Sequence, residues 1–123
     1  MLGFNQAIIL GTVCDVKGFR TAYRLYRYLD MSLRCLQRYR KPDGGSYTKH
    51  VKVPITFRES VMKLAEKAKV QEGDKLYVEG QLIAHRWENP EKGYVDVKLV
   101  VLVESFEVIE KGKRNEQSRP DPR

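Results

Sequence analysis

The chain has 123 residues, with 23 lysines and arginines against 16 aspartates and glutamates, a formal charge of +7, two cysteines and one tryptophan. That length suits a single domain large enough to bury a core, with no room for a second. Nowhere does it hold the run of about 18 apolar residues that a membrane helix needs, and its start lacks the basic-then-apolar order of a secretory leader, so a soluble intracellular protein is expected.

In chain order, Ala7–Val16 is an apolar run broken by Gly11, read as the first strand, with a loop over Lys17–Thr21. From Leu25 to Cys35 the residues alternate: Leu29, Met31 and Leu33 fall on one face, Tyr26, Tyr28, Asp30, Ser32 and Arg34 on the other. This is the pattern of a half-buried strand whose outer face is basic and aromatic. Lys41-Pro-Asp-Gly-Gly-Ser46 carries the residues of a hairpin tip. The second and third strands should therefore form an arm with Arg38, Tyr39, Arg40 and Lys41 near its end. The third strand spans about Tyr47–Ile55. Placing Val51, Val53, Ile55 and Phe57 inward leaves His50 and Lys52 outward; the opposite register would bury a lysine and expose three aliphatics.

Thr56-Phe-Arg-Glu59 matches a helix capping box, and Val61, Leu64, Ala65 and Ala68 offer an apolar stripe that ends before Gly73. The helix should cover one end of a barrel. Leu76–Trp87 alternates again, with Leu76, Val78, Leu82 and Ala84 on one face and Tyr77, Glu79, Gln81, His85 and Trp87 on the other. A strand with a tryptophan on its wet face and Arg86 beside it suggests a stacking platform, although Trp87 could instead cap a hydrophobic cluster beneath the next hairpin. Asn89-Pro-Glu-Lys-Gly93 is a second turn, leading into a fifth strand at Tyr94–Val103. Five strands with one helix between the third and fourth is the order of an all-β oligonucleotide-binding barrel, an order that other small mixed barrels share.

The charge is unevenly spread. Ten bases (Arg20, Arg24, Arg27, Arg34, Arg38, Arg40, Lys41, Lys49, Lys52 and Arg58) face only Asp30 and Asp43 between Arg20 and Arg58, whereas 59–110 carries seven bases and eleven acids. A local positive surface interleaved with aromatics attracts phosphate and offers stacking faces together. The plainer alternative is a solubilising face without a ligand. Cys14 and Cys35, with only His50 and His85 to supplement them, lack the spacings of a zinc site. Two reduced thiols, no metal and no cofactor are expected. Phosphate-binding glycine loops, nucleophile elbows and paired carboxylates are all missing from the sequence, which argues against an enzyme.

Asn5-Gln-Ala-Ile-Ile-Leu-Gly11, Gly73, Tyr77 and Val78-Glu-Gly-Gln-Leu82, followed by Trp87, closely resemble the bacterial single-stranded DNA-binding protein family over roughly Phe4–Ile109. The resemblance implies an oligonucleotide-binding barrel at 1–110, a homotetramer or dimer, and sequence-tolerant binding of single-stranded DNA in replication, recombination or repair, in the cytoplasm at the nucleoid, or in an organellar matrix if the source is not bacterial. It also implies that Trp87 stacks on bases, and that Tyr39 stands in for a tryptophan beyond Ser32-Leu33. Tyr39 shares its parity with core positions, so it must lie beyond the barrel or after a bulge to reach DNA. In the third strand, His50-Val-Lys-Val-Pro-Ile-Thr-Phe57 replaces the family's Trp-His-Arg and phenylalanine, which shifts binding toward charge. The expected contact set is Trp87, Tyr39, Arg34, Arg38, Arg40, Lys41, Lys49, His50, Lys52, Arg86 and Tyr77. The end of the chain, 111–123, is short and basic and reads as a disordered tail, where the family usually has an acidic tip that recruits other proteins. That difference keeps open a second reading: a primosome-type adaptor that mainly binds replication or recombination proteins and touches nucleic acid weakly. Single-stranded RNA is a third possible ligand.

Overall fold

A computed structural model of the chain describes residues 3–22 and 26–112, without the side chains of 22, 26 and 87–89. Five strands, β1 (Ala7–Ala22), β2 (Tyr26–Arg40), β3 (Ser46–Arg58), β4 (Lys75–Asn89) and β5 (Tyr94–Glu110), and one helix, α1 (Glu59–Lys67), follow one another in the expected order. The strands close into a barrel in the order β1-β2-β3-β5-β4. All neighbours are antiparallel except β3 and β5, which pair in parallel at Ile55–Val101 and Thr56–Leu102 and complete the closure.

Alternation decides what is buried. Leu29, Met31 and Leu33 of β2 point inward with Ile55 and Phe57 of β3, Val13 of β1, Leu76 and Val78 of β4, and Val101 and Val103 of β5. Phe57 is fully enclosed and meets the Phe106 ring edge-on, with centroids 5.3 Å apart, so the charge-sparing register of β3 is the one adopted. From α1, Met62 and Ala65 close the core. Gly80 admits no side chain, because a Cβ there would overlap the Leu102 carbonyl of the neighbouring strand. This close approach is the physical reason for glycine in the Glu-Gly-Gln run.

Several expectations need correction. First, 17–21 is not a loop: β1 runs on to Ala22, carried past two register shifts, at Val13–Asp15 and Val16–Gly18, that break the strict period of two. Second, there is no capping box. Thr56 belongs to β3, its hydroxyl donates to Asp30 Oδ1 at 2.7 Å, and the N-cap of α1 is Arg58, which makes no side-chain cap. Third, the buried face of α1 is Met62 and Ala65, while Leu64 is 56% exposed. Fourth, Leu82 and Ala84 continue the parity of Leu76 and Val78 but lie on the surface, because the β1 pairing ends at Ala7–Gly80 and leaves that edge of β4 without a neighbouring strand.

The helix ends in a Schellman arrangement. Lys69 N–H donates to Glu66 O and Val70 N–H to Ala65 O, with Lys69 itself in the left-handed region at φ 55. Lys111 and Gly112, expected in the tail, are instead held at this helix end. Lys111 Nζ reaches the Ala68 and Lys69 carbonyls and Asp74 Oδ2, and Gly112 N–H donates to Asp74 Oδ1 at 2.8 Å. The rest of the expected tail, 113–123, lies outside the described residues.

Candidate nucleic-acid interface

Strands β2 and β3 pair without a break from Tyr28–Arg58 to Arg40–Ser46. Pairing of β1 with β2 begins at Arg34, and β5 reaches β3 only at Ile55 and Thr56. Beyond Arg34 and Lys52 the two strands therefore form a two-stranded arm exposed on both faces. Its tip is closed by Lys41 N–H to Gly45 O, Gly44 N–H to Lys41 O, and Gly45 N–H to the Asp43 carboxylate. Gly44, at φ 94, supplies the left-handed step that the turn requires.

Because no bulge interrupts the arm, parity assigns each side chain to a face. Arg34, Arg38 and Arg40 of β2 share one face with His50 and Lys52 of β3. Tyr39 and Lys49 lie on the other, where the Tyr39 ring stacks on Tyr47 at 5.3 Å and 21° and its hydroxyl donates to Gln37. Tyr39 thus clears the core by lying beyond the barrel rather than by a bulge. Tyr47, a residue the sequence reading used only to mark the strand, doubles that aromatic surface; its cross-strand register with Tyr39 was the signal available.

Among the described residues no acid lies within salt-bridge distance of Arg34, Arg38, Arg40, Lys41 or Lys49. Lys52 has only a loose 3.7 Å contact to Asp15, whose nearer partner is Lys17 at 2.9 Å. The arm's positive charge is therefore not compensated by acids among the described residues. Arg86 is exposed on the β4–β5 hairpin. The backbone of Trp87 pairs with Asp96 on the same hairpin; its side chain, and with it the stacking expectation, lies outside the described residues. Tyr77 stands apart from the basic residues, on the outer wall opposite Leu10 of β1 and Glu107 of β5. Burial, together with the Glu79 and Glu107 carboxylates, raises its hydroxyl pKa above the ordinary value, a setting that repels phosphate.

At the base of the arm a cleft of about 360 Å³ crosses the outer face of all five strands. Arg20 of β1 and Tyr28 of β2 stand on one side, Asp30, Ser32, Pro54 and Thr56 form the middle, and Ile83, His85, Lys98 and Val100 of the β4–β5 hairpin form the other side. Burial pushes the Asp30 carboxyl pKa up, but hydrogen bonds from Arg20 and Thr56 outweigh it and leave the group below the usual carboxylate range. Sequence reading missed this cleft. With 17–21 taken as a loop, nothing placed Arg20 opposite Tyr28. Cys14 and Cys35 are free thiols, and the described residues contain no cluster of three potential metal ligands. No helix among them is long and apolar enough to cross a membrane.

A closed five-stranded barrel with a helix between β3 and β4 and a basic outer face defines an oligonucleotide-binding fold. Residues 4–109 match the single-strand binding protein family, and the chain belongs to it. No curated protein matches it in sequence. Among solved structures, it resembles a deletion mutant of the single-stranded DNA binding protein from Thermus aquaticus at 19% identity and TM-score 0.71 over 88% of this chain, which spans 51% of that one. It also resembles the Plasmodium falciparum SSB in complex with ssDNA at 14% identity and TM-score 0.69, covering 89% of this chain and 96% of that one.

Proposed function

We propose that this protein binds single-stranded DNA with little sequence preference, its phosphates meeting the basic face of the arm and the cleft, its bases stacking on Trp87 and, where the strand turns over the arm, on Tyr39 and Tyr47 of the opposite face. The observation that carries this reading is the run of arginines and lysines on the arm with no acidic partner among the described residues, joined to the outer face of an oligonucleotide-binding barrel. Each neutralised phosphate releases counterions, and each stacked base adds about 1–3 kcal/mol whatever its identity, so affinity comes without a code. Membership of the family, and a neighbour whose structure holds ssDNA, support the same ligand. Such binding serves replication, recombination or repair by protecting exposed strands.

The protein works as a homotetramer or dimer in this reading. Ile8 and Leu10 are each 54% exposed on the outer wall of β1, beside Tyr77, and form an apolar strip suited to a second copy. Light scattering on the wild-type chain and on Leu10→Glu tests this: a larger assembly that falls apart in the variant is expected.

One tryptophan makes the binding test simple. Its fluorescence, titrated with oligo(dT), oligo(U) and duplex DNA, should be quenched strongly by oligo(dT) and little by duplex. Equal weak responses to all three would move the adaptor role, in which the barrel chiefly holds other replication proteins, to first place.

A further inference from the structure

We propose that the cleft at the base of the arm is a pocket for one splayed nucleobase, with the Arg20 guanidinium as its stacking plate; the proposal rests on the single-strand reading above. A guanidinium is planar and weakly hydrated, and it stacks on π-faces where an ammonium cannot. Arg20 is already fixed in such a pose. Its Nε donates to Asp30 Oδ2 at 2.7 Å and its Nη2 to Oδ1 at 3.2 Å, while its Cζ lies 4.3 Å from the centroid of the Tyr28 ring. The side chain nonetheless stays 34% exposed, so the plate is backed and oriented but not covered. Asp30 acts as a positioning residue, and it is held in turn by the hydroxyl of Thr56, whose side chain is buried. A plate fixed in advance has little freedom left to lose on binding.

The rest of the cleft fits the same ligand. Its strands follow the sheet order β1-β2-β3-β5-β4, so the hairpin residues Ile83 and Val100 stand across the cleft from Arg20 and offer an apolar second wall. Its volume of about 360 Å³ is near the lower end of the ~300–1,000 Å³ range of small-ligand pockets, enough for one nucleotide. Lys98 at its margin can meet a neighbouring phosphate, and Lys17 and Arg58, paired with Asp15 at 2.9 Å and Glu59 at 3.7 Å, add positive charge beside it. A duplex could fill the pocket only by extruding a base, at a cost of a few kcal/mol, so the pocket also discriminates against paired DNA.

Arg20→Lys keeps the charge and removes the plane. On oligo(dT) it should lose about tenfold in affinity with an unchanged salt dependence, and on an abasic strand of equal length it should match the wild type. Equal affinities of variant and wild type for oligo(dT), or equal losses on both strands, overturn the pocket. A wild-type chain that binds neither strand overturns the single-strand reading and the pocket with it. A second measurement uses the unaltered chain, so it does not depend on a variant folding: photocrosslinking of a strand containing 4-thiothymine, read by peptide mapping. Crosslinks at Tyr28, at 54–58, at Ile83 or at 98–100 support the pocket. Crosslinks confined to 34–52 refute it while leaving the arm as a binding surface.

Discussion

Replacing Asp74 by asparagine should cost about 3 kcal/mol of stability. The carboxylate is fully buried in the turn between α1 and β4, where it accepts from Gln71 N–H at 3.0 Å, Lys111 Nζ at 2.8 Å and Gly112 N–H at 2.8 Å. Gln71 and Lys111 share Oδ2 and Gly112 takes Oδ1, so both oxygens face donors. An amide keeps one oxygen and turns its NH₂ toward the donor or donors on the other side. That breaks at least one charge-assisted hydrogen bond, worth about 1.5–3 kcal/mol, and leaves a buried N–H without an acceptor at about 1–3 kcal/mol. The two terms together span about 2.5–6 kcal/mol; Lys111 is half exposed, which screens its share, so the sum stays near the low end of that span.

Urea unfolding of wild type and Asp74→Asn across pH measures the loss and its origin together. Burial opposes ionisation of Asp74, but the bonds from Gly112, Lys111 and Gln71 prevail and hold its folded pKa below the ordinary value. Its contribution is therefore complete above the unfolded pKa of about 3.9 and disappears as pH falls through the folded value. The variant should be weaker than the wild type at neutral pH, with the difference shrinking in acid. A loss under about 1 kcal/mol at neutral pH, or one that does not change with pH, refutes the reasoning.

Other consequences can be checked separately. Gly80→Ala drives a methyl group into backbone that cannot step aside, and should cost about 3 kcal/mol by thermal or urea unfolding, near the upper end of overpacking penalties. Lys69→Gly relieves the left-handed strain at the end of α1 and should add about 1 kcal/mol, less the entropy glycine loses on folding. Arg38→Gln should leave folding intact and reduce the slope of log affinity against log salt by about 0.7, the share of one phosphate on a single strand. Tyr39→Ala removes both its own ring and the support of Tyr47, and should weaken oligo(dT) binding by at least fivefold, about 1 kcal/mol, with that slope unchanged.

Much of the fold was legible because β2 is half-buried: Leu29, Met31 and Leu33 alternate with Tyr28, Asp30 and Ser32, and the structure keeps that parity to the end of the arm. The turns at 41–45 and 90–93 announced themselves through proline and glycine. What failed depended on distant partners. The bulges in β1 hide its true length, since an extra residue resets the period of two. The capping box was misread because Thr56 finds a better partner in Asp30, a residue 26 positions away that no local pattern reveals. Leu82 looked buried because alternation gives a face but not the point at which a neighbouring strand ends. At the interface, the basic residues were visible as a charge excess. Their division between two faces of the arm, and the joining of Arg20, Tyr28 and Asp30 at one cleft, required the pairing of β1 with β2.

Salt-dependent binding shows directly whether the basic face of the arm takes the phosphates of a single strand. Anisotropy of labelled oligo(dT) and of duplex DNA, measured with the wild-type chain over a series of salt concentrations, reports affinity, strand preference and phosphate count together. Four phosphates on the Arg34, Arg38, Arg40 and Lys52 face give a slope of about −3 at roughly 0.7 per phosphate, and the single strand should bind far more tightly than the duplex. A slope near zero, or equal affinity for duplex, would contradict the account.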